Sequence, residues 1–303
     1  MKLKLKAVLL ILLFFSMERA FCVVTFNNPI VGTGADPWII FKDGYYYYLQ
    51  TTGGSIVIWK SDRITTVGSL GSATVFTPPA PYNQNVWAPE LHYLNGKWYL
   101  YYTAGTTGDP SDVSHRNFCA EGNSQDPMGS YTFKGKLAAP GADYWSIDPT
   151  VFETGGVLYY AWCSRAGAGN DGISRVYIAT LSNPWTVSSS RVQVTAPTYS
   201  WEGNICEAPE FIQYGATVNI VYSANCACGN NYCLGLAINS GNLLDAWTKN
   251  ATPVFQSGNG VYAPGHCSFT KSISGNEDWA AQFLFCKFVE PQTEGGFWHS
   301  MLR

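Results

Sequence analysis

Charge is scarce in this chain of 303 residues: Asp, Glu, Lys and Arg together make up 13%, and the net charge is −3. A nucleic-acid binder needs a basic stripe or patch, and none is present. Long apolar runs are also missing. The longest, Ala7–Phe15, has nine residues and is too short to span a bilayer. Helical periodicity is rare, and no phosphate loop or dinucleotide fingerprint occurs. Ser114-His115 lacks the context of a nucleophile elbow, so a Ser-His-Asp hydrolase is not indicated.

Aromatic residues are plentiful, with 19 Tyr, 16 Phe and 11 Trp. With so little charge they fit a rigid β protein with aromatic surfaces. The plainer reading is that they fill sheets. The N-terminus has the form of a secretory signal: Lys2, Lys4 and Lys6 precede the apolar Ala7–Phe15 run, and Ala20-Phe21-Cys22 offers a cleavage site. We therefore expect residues 1–22 to be a signal peptide, the protein to be extracellular, and residues 23–303 to form one domain.

Nine cysteines occur, and removal of Cys22 would leave eight. An even number in a secreted chain predicts up to four disulfides, with no pairing assignable. The Cys226, Cys228 and Cys233 cluster is the only zinc-like spacing, and no second cluster supports it. Asn250-Ala251-Thr252 is a glycosylation sequon.

The chain repeats itself. Ala35-Asp36-Pro37, Trp87-Ala88-Pro89, Ile147-Asp148-Pro149 and Glu207-Ala208-Pro209 each precede an apolar, aromatic-rich run, and Pro264-Gly265-His266 opens a fifth. The four prolines recur every 52 to 60 positions, and His266 follows Pro209 by 57. Such a period signals a repeat architecture. Asp43-Gly44, Asn95-Gly96 and Gly155-Gly156 are hairpin turns between strand-like runs. About 55 residues per unit accommodate about four strands, which is one propeller blade. The expected fold is all-β, a five-bladed β-propeller. The first strand of each blade lies nearest the axis, so the acids at matching points of the repeats converge on one pocket.

These segments carry a resemblance to glycoside hydrolase family 43. It rests on Val86-Trp87-Ala88-Pro89-Glu90, Ser146-Ile147-Asp148-Pro149-Thr150, Glu207-Ala208-Pro209 and Gly265-His266-Cys267-Ser268-Phe269-Thr270, in this order and at propeller spacing. It extends from about residue 34 to 285 and looks closest to the arabinofuranosidase and exo-arabinanase branch. The resemblance implies a five-bladed propeller that hydrolyses plant cell-wall arabinan or arabinoxylan. Asp36 would be the general base, Glu207 the general acid, and Asp148 the residue that orients the acid and tunes its pKa. Inverting hydrolysis needs two carboxyls on opposite faces of the bond, one kept protonated by burial and a like charge. His266 would bind an axial cation, commonly calcium, although calcium prefers oxygen donors. Trp87 would wall the sugar pocket, with Trp38 and Trp145 as further candidates; packing between blades is the plain alternative for these two.

Repeat logic alone leaves Glu210 as a rival acid, because it follows Pro209 as Glu90 follows Pro89. The family motif places the acid before the small residue and proline, which favours Glu207. Glu202 is a weaker competitor. The chain departs from the family at its C-terminus. Gln282-Phe283-Leu284-Phe285 replaces an expected aromatic-His pair, and the Cys286–Arg303 tail does not resemble the usual closing segment. Either the N-terminal strand closes the ring or the last blade is incomplete. The expected partner is a plant cell-wall polysaccharide or oligosaccharide acted on by a monomer, with no nucleic acid and no membrane. The alternatives are a β-xylosidase or endo-arabinanase of the same family, and an inactive sugar-binding propeller.

Overall fold

The computed structural model describes residues 28–109, 111–239 and 241–284, and the backbone of 296–301. The expected signal peptide, Cys22 and Cys286 lie outside the described residues. Among those residues no helix is long and apolar enough to cross a membrane.

The strands form five antiparallel sheets in chain order. The first holds β1 (Trp38–Lys42), β2 (Tyr45–Leu49), β3 (Ile56–Ser61) and β4 (Ser72–Phe76). The second holds β5 (Tyr82–Leu94), β6 (Lys97–Thr106), β7 (Arg116–Gly122) and β8 (Tyr131–Leu137). The third holds β9 (Ser146–Thr154), β10 (Val157–Ser164), β11 (Arg175–Asn183), β12 (Thr186–Val187) and β13 (Val192–Thr195). The fourth holds β14 (Cys206–Tyr214), β15 (Thr217–Ala224), β16 (Cys233–Asn239) and β17 (Thr248–Lys249). The fifth holds β18 (Pro264–Lys271), β19 (Asp278–Leu284) and β20 (Gly296–Met301). The C-terminal tail therefore supplies a third strand to the last sheet, with Gln282 opposite Trp298.

The turns form where the sequence places them. Asp43 and Gly44 have φ of 51° and 84°, and Asn95 and Gly96 have 49° and 81°. Two successive positive φ values give the hairpin turn whose twist matches its strands. Lys42 pairs with Tyr45 and Leu94 with Lys97 across these loops.

Among the described residues the core is divided. Five apolar layers lie between successive sheets. Ile58, Leu91 and Phe118 fill the layer between the first and second sheets; Tyr101, Val151 and Tyr160 fill the next. Ile178, Phe211 and Tyr222 join the third sheet to the fourth, and Val221 and Cys267 join the fourth to the fifth. Ile39, Tyr46, Trp279 and Ala281 join the fifth back to the first. Each sheet is thus covered on both faces, and β6 is buried without a break from Trp98 to Gly105. The first strands β1, β5, β9, β14 and β18 neighbour one another around the centre. The fold is an all-β propeller.

Among the described residues one disulfide is present. Cys226 pairs with Cys228, while Cys119, Cys163, Cys206, Cys233 and Cys267 are buried free thiols. Several lie in different inter-sheet layers, where each packs as a small apolar side chain.

Candidate active site

Each repeat motif carries a left-handed residue at the same place, at or near the start of its first strand. The five are Asp36, Ala88, Asp148, Ala208 and His266, with φ of 55°, 44°, 53°, 45° and 39°. Left-handed backbone is uncommon for residues other than glycine and costs of order 1–3 kcal/mol at each site. The strand pairing slips at this point in four of the sheets, between Trp87 and Glu90, Ala161 and Cys163, Glu207 and Glu210, and Gly265 and Cys267. These are β-bulges, which bend a strand and re-aim its side chains. The proline after four of the pivots has no N–H, so the bulge strands no donor there.

Four of the five pivot N–H groups are satisfied from the preceding repeat. Ala88 donates to Thr51 Oγ1 at 2.8 Å, Asp148 to Thr103 Oγ1 at 3.1 Å and His266 to Ser223 Oγ at 2.7 Å. Ala208 donates instead to the Asp148 carboxylate, Oδ2, at 3.0 Å. The bulges therefore lock adjacent sheets together while they aim side chains at the axis. Glu207 and Trp87 occupy the same place in their repeats, one residue before the pivot, whereas Asp36 and Asp148 are pivots themselves. This accounts for the offset of Glu207 from its proline.

Asp36 Oδ1 lies 3.0 Å from His266 Nδ1, and its Oδ2 accepts from Thr51 Oγ1 at 2.5 Å. Burial alone would raise the Asp36 pKa, but the His266 charge and these hydrogen bonds outweigh it and hold the carboxyl below its ordinary value. Burial likewise opposes charge on His266, yet Asp36, with help from Asp148 and Glu207, lifts it to about 9. Glu207 moves the other way, to about 8, through burial first and the Asp148 carboxylate second. Asp148 rises to about 6, mainly by burial. Three acids and one imidazolium therefore share one field, with Asp36 ionised and Glu207 protonated near neutral pH.

An axial calcium at His266 would have to draw most of its ligands from water. Calcium takes six to eight oxygens. Here the residue offers a ring whose Nδ1 is spent on Asp36, and among the described residues no three His, Cys, Asp or Glu side chains are grouped to hold a metal. His266 itself supplies positive charge at this point.

Residues 26–287 match the profile of the glycosyl hydrolases family 43. The chain belongs to that family. An "Extracellular exo-alpha-(1->5)-L-arabinofuranosidase" of Streptomyces avermitilis is 39% identical over 271 residues, covering 84% of this chain and 55% of that protein. An "Alpha-L-arabinofuranosidase 43" of Humicola insolens is 33% identical, again covering 84% of this chain and 55% of its own length. This family 43 chain thus spans just over half the length of these two relatives. The crystal structure of an alpha-L-arabinofuranosidase from Lactobacillus brevis superposes with a TM-score of 0.83 at 30% identity, covering 91% of this chain and 92% of that one.

Of the rival acids of this family 43 site, Glu210 feels the charge of His266 and Glu90 that of Asp148, while Glu202 sits apart. Glu210 is buried, 7% exposed, two residues past its pivot; Glu90 holds the equivalent place in its own repeat. Burial pushes both carboxyls well above the usual range. Glu202 is fully buried. Its oxygens accept from Lys249 Nζ at 2.6 and 2.7 Å, Tyr222 OH at 2.7 Å and the N–H groups of Thr198 and Tyr199. Every lone pair is engaged, so Glu202 anchors structure.

The three tryptophans part company. Trp87 is half-buried beside the Ala88 pivot and stacks on His115 with ring centroids 4.1 Å apart. Trp145 lines a cavity of about 220 Å³ with Tyr144, Arg116 and Asn170, its indole donating to Asp112 O at 2.8 Å and Arg165 lying over its ring. Trp38 is a core residue, 8% exposed, its ring tilted against His92 with centroids 4.6 Å apart, and it donates to Leu91 O at 3.0 Å. Its place two residues past the pivot turns it below the mouth, level with Glu90 and Glu210.

Two contributors escaped the sequence reading. Thr51 holds Asp36 and the Ala88 backbone together, and Tyr232 donates to Glu207 Oε1 at 2.9 Å. Thr51 had a signal, since it stands just past the second strand of its repeat as a hydroxyl. Tyr232 lies in an unrepeated loop and had none.

Proposed function

We propose that this chain is a secreted, inverting glycosidase that releases terminal α-L-arabinofuranosyl units from arabinan or arabinoxylan of plant cell walls. In this reading the five sheets are the five blades of one propeller, residues 23–303 form a single catalytic domain behind the signal at 1–22, and the enzyme acts as a monomer. The observation that carries it is the opposed protonation of two carboxyls in one pocket: Asp36 is ion-paired and ionised, while Glu207 is held up to about 8. Paired acids driven apart in pKa are what acid–base glycoside hydrolysis requires. The names of the relatives support the sugar and the exo action.

Asp36 takes a proton from water as its oxygen attacks the anomeric carbon. Glu207 gives its proton to the leaving oxygen, and the configuration inverts. Asp148 keeps Glu207 protonated and aligns it by accepting from the Ala208 N–H, next to the acid in the chain. His266 keeps Asp36 ionised. Trp87 offers a ring face to the sugar, and Trp145 a second one further out.

The test is sugar release from α-1,5-arabino-oligosaccharides by the mature protein, beside Asp36→Ala and Glu207→Gln. Arabinose as the sole early product is expected. Each variant should lose about 10²–10⁴-fold in rate with the fold retained. Early release of arabino-oligosaccharides would assign endo action. No release by the folded wild type, from these or from xylosides, would leave an inactive sugar-binding propeller.

A further inference from the structure

Tyr232 is 1% exposed, and a phenol hydroxyl in the interior needs a partner. Its partner is Glu207 Oε1, at 2.9 Å. The residue ends the loop between β15 and β16, a loop closed at its start by the Cys226–Cys228 bridge. Its ring packs against Gly265. A Cβ at Gly265 would stand 1.9 and 2.1 Å from Cε1 and Cδ1 of Tyr232, closer than real atoms approach. The corresponding places in the other repeats hold Ala35, Trp87, Ile147 and Glu207, all of which carry a Cβ. The fifth repeat has glycine there, and the tyrosine fills the space. The phenol also stays a donor, since burial and then the Glu207 charge push its pKa well above the ordinary value.

We propose that Tyr232 is a positioning residue for the acid: its hydroxyl makes Glu207 Oε1 the accepting oxygen and leaves the proton on Oε2, toward the leaving group. The inference rests on the glycosidase reading above. In the step, the Oε2–H bond breaks as the leaving oxygen takes the proton. The glycosidic C–O bond breaks with its electron pair on that oxygen. The water oxygen bonds to the anomeric carbon, and the water proton passes to Asp36. Without Tyr232 the carboxyl can rotate and carry its proton on either oxygen. The other ionisable groups facing Glu207 are Asp148 on β9, the Cys163 thiol on β10, His266 on β18 and Asp36 before β1.

Tyr232→Phe keeps the ring and removes only the hydroxyl. Arabinose release from arabino-oligosaccharides should fall about tenfold. Release from 4-nitrophenyl α-L-arabinofuranoside should fall much less, because nitrophenolate departs without a proton. The alkaline limb of kcat/KM should move to higher pH, because the lost donor favoured the ionised carboxyl. Gly265→Ala, which displaces the ring, should give the same pattern, and the double variant should be no worse than Tyr232→Phe. Equal losses on both substrates with an unmoved alkaline limb would overturn the proposal. A carbon-13 NMR titration of the Glu207 carboxyl keeps it separate from the glycosidase reading. Should the wild type prove inactive on every glycoside, an upward shift in Tyr232→Phe still supports the contact, and an unchanged titration refutes it.

Discussion

Glu207 is held protonated by burial first and by the Asp148 carboxylate second, and Asp148→Asn removes the second while keeping an oxygen for the Ala208 N–H. The sign follows from electrostatics. A negative neighbour raises a carboxyl pKa, so its neutralisation lowers it. The alkaline limb of kcat/KM reports the acid in the free enzyme. In Asp148→Asn that limb should therefore fall from about 8 toward the ordinary carboxyl range, the opposite direction from Tyr232→Phe. A pH–rate profile checks this, and an unmoved limb would remove Asp148 from the tuning of the acid. The four ionisable side chains were legible in the sequence because each sits in a repeat motif. Their charge states were not legible, since they depend on which carboxyl meets His266 and which meets Tyr232.

At the scale of the element, the working unit is the bulge that opens each first strand. Ala208 is left-handed at φ 45°, and its strain is balanced by a hydrogen bond to Asp148. Replacing Ala208 with valine puts a β-branched side chain where even alanine is strained, and should cost about 1–3 kcal/mol. It should also swing Glu207 and lower activity. Ala208→Gly, which accepts this conformation, should keep both stability and rate. Urea unfolding with rate measurements on the two variants tests this. Equal stability in both would show that the pivot stores no strain. The motif residue before proline marked these bulges in the sequence, because proline recurs where the ladder loses a donor. The offset of Glu207 became intelligible only when Ala208, and not Glu207, proved to be the pivot.

Across the whole molecule, the first and fifth sheets meet through Ser268. Its Oγ accepts from the Ile39 N–H at 3.2 Å and donates to Pro37 O at 3.0 Å, next to Asp36. Ser268→Ala leaves a buried N–H and a carbonyl without this partner and should destabilise the protein by about 1–3 kcal/mol. A lowered denaturation midpoint with an unchanged m value is the expected result. A variant as stable as the wild type would mean that the apolar layer around Ile39, Tyr46 and Trp279 holds the first and fifth sheets together by itself.

The repeat, the hairpin turns and the all-β class follow from local backbone chemistry alone: proline without a donor, turns with positive φ, strands rich in aromatics; the repeat also singled out Asp36 and Asp148, while Glu207 was preferred to Glu210 only through the family resemblance. The tertiary structure decided everything that depends on a neighbour far along the chain. It placed Trp38 in the core although it stands two residues past Asp36, and left five buried cysteines as free thiols. It also closed Tyr232 onto Glu207 across a glycine in another sheet. A motif specifies where a side chain starts; the packing of one sheet on the next decides what that side chain meets.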